Sequence, residues 1–373
     1  MPRWRPMTKA RTPADSPAHS LLGLELARFV CAVSVLIWHY QHFYFQGLTP
    51  VGFEPHAQPL YGLFKPFYEV GWLGVQSFWT LSGFIFFWKY AQPIAQGQVS
   101  ARRFTVLRFS RLYPLHLLTL LSVAALIPWY RHLHGSDYVY LHNDAWHFAL
   151  QLFMASDWPG RSEWSFNGPI WSISIEVLVY ALFFALSRLG LTRWWQALGL
   201  VAASGTVYGL KLTPHPIVLC VFFFYLGAVT QLGHAALIRQ PRARQTLAHV
   251  LGLLAVAAAT ALLLMGKLRP MFYVALLTPV ALLLLLDWVH PRSGTVQRWI
   301  NTLGNTTYAS YLLHFPLQLL LACLTSALGF SLPLHEPAWL IAWLAGVFGL
   351  AALVYRVIEM PAQTWLRQRL DRR

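Results

Sequence analysis

Ten apolar segments of membrane-spanning length recur along the 373-residue chain. A helix needs about 20 predominantly apolar residues to cross the ~30 Å hydrocarbon core of a bilayer. Because no water is available in that core to pair with backbone groups, a long single apolar segment is stable there only as a helix. The sequence therefore predicts an all-α, polytopic membrane protein with about ten transmembrane helices. The segments are residues 21–40, 71–89, 114–130, 169–187, 194–210, 215–233, 246–266, 270–290, 306–328 and 337–357.

The amino-acid composition agrees with a membrane location. Hydrophobic residues make up 57% of the chain and charged residues only 11%, whereas a soluble globular domain has about 25% charged residues. A soluble protein of this composition would leave much of its surface apolar and would aggregate. A soluble enzyme is therefore excluded, and membrane lipid is an expected partner.

The net charge is +15, from 28 Lys+Arg against 13 Asp+Glu. The basic residues lie in short segments between the apolar ones, which is typical of charges that orient a membrane protein, so we expect no nucleic-acid partner. Cys31, Cys220 and Cys323 each lie within an apolar segment and form no CxxC or other metal-ligand spacing. We therefore expect neither a disulfide framework nor a bound metal.

The distribution of positive charge predicts the orientation of the chain. If the N-terminus is cytoplasmic, 21 of the 28 lysines and arginines lie in cytoplasmic segments, as the positive-inside rule requires. The first apolar segment has spanning length and no A-x-A-like cleavage site, so we interpret it as a retained helix. Both termini are then cytoplasmic, residues 1–20 and 362–373 form basic tails, and residues 21–361 form one ten-helix domain. The amphipathic stretch 146–156 is too short to span, and the pattern allows it either to lie on the surface or to re-enter the membrane.

Charged side chains within the first predicted helix need an explanation, because a charge in the hydrocarbon costs roughly 2.5–3.5 kcal/mol on insertion scales. Arg28 and His39 are eleven residues apart, about three turns, and so lie within ~20° on one face and ~16 Å apart along the axis. Glu25 precedes Arg28 by one turn, and we interpret these two residues as an ion pair. The pattern alone allows either a functional His39 or a hydrogen-bonded interfacial histidine.

A second polar stripe runs along the fourth predicted helix. Ser172, Glu176 and Tyr180 are spaced four apart and share one face. Glu176 lies about seven residues, or two helical turns, from the outer end of this helix. A carboxylate at that depth could orient a histidine or hold its protonated form. The alternative is a hydrogen bond between helices.

The ninth predicted helix carries a third stripe, formed by Thr307, Tyr311, His314 and Gln318. Pro316 is expected to loosen the helix beside it. This pattern is equally compatible with a functional histidine and with a satisfied core histidine.

Two shorter segments contain the remaining candidate site residues. Arg108 and Arg111 are one turn apart at the predicted cytoplasmic face, and guanidinium forks suit phosphate oxygens. From the spacing alone, positive-inside anchoring explains them better. In the second predicted helix, Ser82-Gly83 permits close helix approach, so packing is the leading interpretation. The sequence contains no G-x-S-x-G elbow of a hydrolase serine.

These segments, in this order, resemble the acyltransferase-three family of integral-membrane acyltransferases, which mostly O-acylate bacterial cell-surface glycans. The match runs from about Leu21 to Pro361, nearly the whole chain. Each of these pieces alone is weak evidence for the family, whereas six pieces in the family's order are a specific signal. The pieces are Arg28 with ten residues before His39; Gly71-Trp72-Leu73-Gly74-Val75 through Phe78 to Leu81-Ser82-Gly83-Phe84; Arg108-x-x-Arg111 with Tyr113-Pro114; Trp171-Ser172-Ile173-Ser174-Ile175-Glu176 with Tyr180; Leu303-Gly304 with Tyr308, Tyr311-Leu312-Leu313-His314 and Pro316; and Glu359-Met360-Pro361.

The resemblance implies ten helices in a bacterial inner membrane and an acyl-CoA donor, usually acetyl-CoA, supplied from the cytoplasm. The acceptor would be a hydroxyl of a polysaccharide, lipopolysaccharide or related glycan or glycolipid. It implies that Arg28 and His39 are catalytic and that Arg108 and Arg111 bind the donor. It leaves direct transfer and an acyl-histidine intermediate both open. Glu25 departs from the family's usual start, and the fused outer esterase-like domain of some relatives is not expected here.

We predict three groups of site residues from these arguments together. The catalytic group is Arg28, His39 and Glu176; the donor-binding group is Arg108 and Arg111; the candidate substrate-site group is Ser82, Tyr180, Tyr311 and His314.

The competing class is a proton-coupled transporter of a small polar or glycan-derived substrate. Arg28, His39, Glu176 and His314 would then form a proton or substrate path. The sequence shows no inverted repeat, a common feature of transporters. Acyl transfer from acyl-CoA separates the two classes, because a transporter modifies nothing.

Overall fold

The computed structural model describes residues 22–159, 163–291 and 293–371, and these are almost entirely helical. Within them, a single short hairpin supplies the strands, β1 (Phe45–Gln46) and β2 (Thr49–Pro50). The α-helices are α1 (Leu22–Trp38), α2 (Tyr61–Val70), α3 (Gly74–Phe86), α4 (Gln92–Ala95), α5 (Ala101–His134), α6 (Ala145–Leu152), α7 (Trp171–Arg188), α8 (Trp194–Gly209), α9 (Ile217–Leu237), α10 (Arg242–Leu264), α11 (Pro270–Trp288), α12 (Gly294–Leu328), α13 (Pro337–Val354) and α14 (Met360–Asp371).

Nine helical stretches among the described residues are long and apolar enough to cross a membrane. This confirms the prediction of an all-α, multi-pass membrane protein. The tenth predicted segment is also helical, but its helix α8 has only 16 residues. Such a helix rises about 24 Å, less than the ~30 Å of the hydrocarbon core. It packs along α9. Because of its short length, the crossing of the membrane by α8 stays a prediction.

A pair of reporter fusions tests the predicted orientation and the role of α8 together. Asp144 precedes α7 and Arg242 begins α10, so the number of spans between them is odd only if α8 crosses. We expect fusions at Asp144 to report the outside and fusions at Arg242 to report the cytoplasm. Each position should carry, in turn, one reporter active only outside and one active only inside. Both positions on the same side would contradict the ten-helix topology.

Helices α3 and α9 meet backbone to backbone. A Cβ atom at Gly83 would lie 1.7 Å from the Phe224 carbonyl oxygen, and one at Gly227 would lie 1.9 Å from the Thr80 carbonyl oxygen. Both positions therefore require the absence of a side chain. This confirms the packing interpretation of Ser82-Gly83, since small residues let membrane helices approach closely.

The first helix changes from an α-helix to a 3₁₀ helix at His39. α1 ends at Trp38, and the chain tightens into a 3₁₀ turn from His39 to Tyr44. The face shared by Arg28 and His39 was predicted for a continuous α-helix, and that geometry applies only as far as Trp38. By contrast, α12 continues through Pro316 without a break.

The loop between α5 and α7 contains the short helix α6. Asp144 caps it by accepting a hydrogen bond from the backbone N–H of His147. Trp146 and Phe153 are exposed, whereas His147 and Gln151 are buried. This agrees with the amphipathic, non-spanning element predicted at residues 146–156.

Candidate active site

A cavity of about 490 Å³ lies among α1, α3, α5, α7 and α12. It gathers side chains from stretches of sequence that are far apart. Neither His39 nor His314 lines it. The predicted residues that line it are Arg28, Ser82, Arg108, Arg111, Glu176, Tyr180 and Tyr311.

The lining of this cavity is strongly basic. Five cationic side chains face two carboxylates there, namely Arg28, Lys89, Arg108, Arg111 and Arg367 against Glu25 and Glu176. Positive charge concentrated in a cleft with low-dielectric walls attracts anions. The sequence analysis counted Lys89 and Arg367 only as positive-inside charges, because their positions relative to α5 depend on tertiary packing.

The ion pair predicted within the first helix is present. Arg28 Nη1 lies 3.1 Å from Glu25 Oε2, and the two side chains are 20% and 21% exposed. A guanidinium has five N–H groups, and this contact uses one of them. Arg28 therefore keeps donors for a ligand in the cavity.

Arg108 lies against an aromatic part of the wall. Its guanidinium carbon is 4.9 Å from the ring centroid of Phe86 and 5.0 Å from that of Tyr90. Its Nη2 donates to the Tyr90 hydroxyl at 2.7 Å. Its buried Nε–H has no hydrogen-bond partner among the described residues. A buried donor without a partner costs about 1–3 kcal/mol, and an anionic ligand would remove that cost.

Arg111 pairs with a carboxylate from the far end of the chain. Its Nη1 donates to Glu359, which is completely buried. Glu359 is the last residue of the π-helix Tyr355–Glu359, which links α13 to α14. The guanidinium carbon also lies 5.7 Å from the ring centroid of Tyr308. The sequence analysis used Glu359 only as part of the family resemblance. Its pairing with Arg111 depends on which helices meet and carries no local signal.

The stripe predicted on α7 forms one wall of the cavity. Ser172, Glu176 and Tyr180 are all buried and all line it, which confirms that they share a face. Ser82 and Tyr180 are hydrogen-bonding neighbours of the Glu176 carboxylate, whose Oε1 has no partner among the described residues. The Tyr180 ring stacks on Phe86, with centroids 4.3 Å apart.

Three imidazoles, His39, His42 and His314, form a second group, which we call the histidine cluster. The His39 ring centroid is 4.9 Å from that of His42 and 4.7 Å from that of His314. All three residues are buried. His42 was not predicted, because it lies beyond residue 40, where the first apolar segment ends. In the 3₁₀ turn His39–Tyr44 side chains three apart eclipse each other, which brings His42 beside His39.

The hydrogen bonds of His39 define its tautomer. Its Nδ1 lies 3.1 Å from the carbonyl oxygen of Val35, and a carbonyl oxygen can only accept. Nδ1 therefore carries the proton, and Nε2 carries the lone pair. A neutral imidazole in this form can serve as a general base.

Tyr311 joins the cavity to the histidine cluster. It lines the cavity, and its ring centroid is 6.0 Å from that of His314. Its hydroxyl lies 2.8 Å from Ser172 Oγ and donates to the Pro169 carbonyl oxygen at 2.7 Å. The face predicted on α12 therefore connects the two groups rather than belonging to one of them.

Two roles were predicted for Glu176, orientation of a histidine and a hydrogen bond between helices, and its contacts fit only the second. Its neighbours are the hydroxyls of Ser82 and Tyr180, which fits a hydrogen bond between helices. The ring neighbours of His39 are Trp38 and the other two imidazoles of the cluster. Direct orientation of His39 by Glu176 is not among the contacts of the described residues, so a catalytic role of Glu176 stays a prediction.

Comparison with known proteins confirms the resemblance to membrane acyltransferases. Residues 21–356 match a protein family described as an acyltransferase domain. Among curated proteins, the chain is similar to acyltransferase MdmB from Streptomyces mycarofaciens, with 30% identity over 142 residues. That alignment covers 36% of this chain and 34% of the relative, so the chain spans about a third of the length of the curated relative it matches. No solved structure matches the chain significantly.

Proposed function

The chain belongs to the acyltransferase-three family, and on that premise we propose that it transfers an acyl group from acyl-CoA to a hydroxyl of a cell-envelope glycan. Acetyl-CoA is the favoured donor, entering from the cytoplasm, and the protein would work in a bacterial inner membrane. One observation carries the proposal: a basic cavity is joined through Tyr311 to a cluster of three imidazoles.

The basic cavity supports an acyl-CoA donor. Coenzyme A carries a pyrophosphate and a 3′-phosphate, and arginine binds phosphate oxygens bidentately. Arg108 and Arg111 lie in the cavity wall together with Lys89 and Arg367. The unpartnered Nε–H of Arg108 is a donor that a phosphate oxygen would satisfy.

The histidine cluster supports the transfer step. A sugar hydroxyl is a poor nucleophile and needs a base within hydrogen-bond reach. In direct transfer, the hydroxyl oxygen attacks the thioester carbonyl carbon, its proton passes to Nε2 of His39, and the C–S bond breaks. His39 then returns the proton to the thiolate of CoA. Arg28 lies in the cavity wall, apart from His39, and would hold a donor phosphate.

A covalent route uses the same tautomer of His39. Nε2 attacks the thioester carbonyl carbon, and the C–S bond breaks to give the thiolate of CoA and an acyl-imidazolium. The acceptor hydroxyl then takes the acyl group, its proton passes to the thiolate, and the neutral imidazole is regenerated. A single turnover with labelled acetyl-CoA and no acceptor separates the routes. Label retained on the protein, and lost when an acceptor is added, would establish the acyl-histidine.

The test of the proposed function is acyl transfer in membranes containing the protein. Labelled acetyl-CoA is supplied with envelope glycans, and we expect label in the glycan fraction only when the protein is present. The competing transporter class predicts unlabelled glycans and no requirement for acyl-CoA. Glycan O-acetylation in cells with and without the gene provides the matching in vivo measurement.

Replacing both Arg108 and Arg111 with glutamine is expected to raise the KM for acyl-CoA at least tenfold and to leave the acceptor KM nearly unchanged. Hydrogen bonds to charged groups contribute about 1.5–3 kcal/mol each, and 1.4 kcal/mol corresponds to a factor of ten. Steady-state kinetics in membranes with matched protein levels measures both constants.

Two further variants make this result interpretable. Arg108→Gln alone leaves the buried Glu359 paired with Arg111 and so guards against misfolding of the double variant. Arg103→Gln is the matched control, because Arg103 lies on the same helix, is exposed and does not line the cavity. An unchanged donor KM in a well-expressed double variant would leave positive-inside anchoring as the role of both arginines.

A further inference from the structure

A third group of chemically active side chains lies apart from the cavity and the histidine cluster, in the loop between α5 and α7. His142, His147 and Glu163 each offer one ligand atom, and these atoms all lie within 4.8 Å of one another. His147 Nε2 is 3.0 Å from Glu163 Oε2, and His142 Nδ1 is 3.9 Å from the same oxygen. Both Asp144 carboxylate oxygens lie 2.9 Å from His147 Nδ1.

This arrangement leaves one imidazole between two carboxylates. A neutral imidazole has one N–H and one lone pair. If Nδ1–H donates to Asp144, the lone pair of Nε2 faces Glu163 Oε2 at 3.0 Å. Two electron-pair donors at that distance repel each other unless a proton or a metal ion lies between them. His142 brings a third donor atom to the same point.

We propose that His142, His147 and Glu163 bind a first-row divalent metal ion, with Zn²⁺ the best fit to two imidazoles and a carboxylate. In a tetrahedral site with bonds of about 2.0–2.1 Å, ligand atoms lie roughly 3.3 Å apart. Glu163 Oε2 lies 3.0 and 3.9 Å from the two imidazole nitrogens, and all three ligand atoms lie within 4.8 Å of one another, so side-chain movements of about 1–1.5 Å complete the site. A fourth position would remain for water.

The surroundings of the three ligands fit such a site. Metal-binding histidines commonly donate their second N–H to a carboxylate, which fixes the tautomer and orients the ring. Asp144 holds His147 in this way while it also caps α6. His147 is buried, whereas the side chains of His142 and Glu163 are 38% and 59% exposed. The ion could therefore enter from solvent and bind to a largely fixed histidine.

A metal here would hold together a loop that contacts the histidine cluster, since its Tyr138 hydroxyl donates to the His42 carbonyl oxygen at 2.7 Å. Asn143 Oδ1, next to His142, accepts from the Phe166 backbone N–H at 2.6 Å. Asn167 Nδ2 donates to the Leu312 carbonyl oxygen of α12 at 3.0 Å. The metal would join residues 142–147, at the start of α6, to Glu163, which follows α6 in the same loop. The sequence analysis expected no metal because it considered cysteine spacings, and these ligands are brought together only by the fold of the loop.

The experiment measures metal bound to the full chain in detergent, purified with a tag that contains no histidine. After chelation and dialysis against Zn²⁺, elemental analysis should give one tightly held ion per chain. Titration with Co²⁺ should give the visible absorption of a tetrahedral site. We expect Glu163→Gln and His142→Ala to abolish stoichiometric binding, and both change exposed side chains, so folding should be retained. Asp144→Asn should weaken binding about 10–100-fold.

The control is His132→Ala, which removes an exposed histidine from the end of α5 and should leave binding unchanged. Wild-type protein that holds no more metal than Glu163→Gln would overturn the proposal. Equal loss of metal in His132→Ala would also overturn it, because it would show non-specific surface binding.

Discussion

His39→Ala is expected to insert and fold normally and to lose nearly all acyl transfer. A positioned general base typically contributes 10²–10⁴-fold, so residual activity should be about one percent or less. The covalent route predicts the same loss, because it uses the same nitrogen. The measurement is transfer from labelled acetyl-CoA in membranes with matched protein levels.

The structure gives a reason to expect that this variant folds. The Nδ1–H of His39 bonds only to the Val35 carbonyl oxygen of its own turn. The bond that ties this position to α12 runs from Gln318 Nε2 to the backbone oxygen of His39, and alanine keeps that oxygen. Activity can therefore be lost without loss of the contact between α1 and α12.

Three other variants define what this loss means. Glu176→Gln should cost less than His39→Ala, because Glu176 contacts Ser82 and Tyr180 rather than the histidine cluster. His314→Ala should also cost less than His39→Ala, and the exposed His132→Ala should cost nothing. Activity of His39→Ala within threefold of wild type would remove His39 from the mechanism and make His314 the leading candidate.

The separation between cavity and histidine cluster bears on the mechanism as well. Arg28 lines the basic cavity, whereas His39 lies among imidazoles outside it. The reactive thioester must therefore reach past Tyr311 if the CoA phosphates are bound by the arginines. Coenzyme A suits this geometry, because its long pantetheine arm separates the phosphates from the thioester.

Periodicity within single helices was predictable from the sequence, and it located part of the polar lining of the cavity. The four-residue spacing on α7 placed Ser172, Glu176 and Tyr180 on one wall, and the one-turn spacing of Glu25 and Arg28 identified an ion pair. Such predictions succeed because helix geometry is local. Each needs only the pitch of the helix and the position of its polar residues.

Contacts between helices were not predictable in the same way. The pairing of Arg111 with Glu359 joins residues 248 positions apart, and no local pattern identifies such a partner. His42 was missed because it lies beyond residue 40, where the first apolar segment ends, in a 3₁₀ turn whose presence the sequence pattern did not indicate. The cation-rich lining likewise depends on how α14 packs against α5.

Gly83→Ala is expected to destabilise the protein severely, although it adds a single methyl group. The new Cβ would lie 1.7 Å from the Phe224 carbonyl oxygen, and a backbone oxygen cannot rotate away as a side chain can. Overpacking of cores typically costs about 1–3 kcal/mol, and a clash between two backbones should reach or exceed the top of that range. Thermal unfolding of the detergent-solubilised protein, followed by size-exclusion chromatography, measures the loss.

A matched pair on α9 separates this clash from the general effect of replacing glycine in a helix. A Cβ at Gly227 would lie 1.9 Å from the Thr80 carbonyl oxygen, whereas one at Gly233 meets nothing within 4 Å. Alanine is favoured over glycine in a helix by about 0.8–1.0 kcal/mol. Gly233→Ala should therefore be neutral or stabilising, while Gly227→Ala should behave like Gly83→Ala. Equal stability of all three variants would show that α3 and α9 do not meet backbone to backbone. Some other contact would then have to hold α3 in the position that places Ser82 beside Glu176.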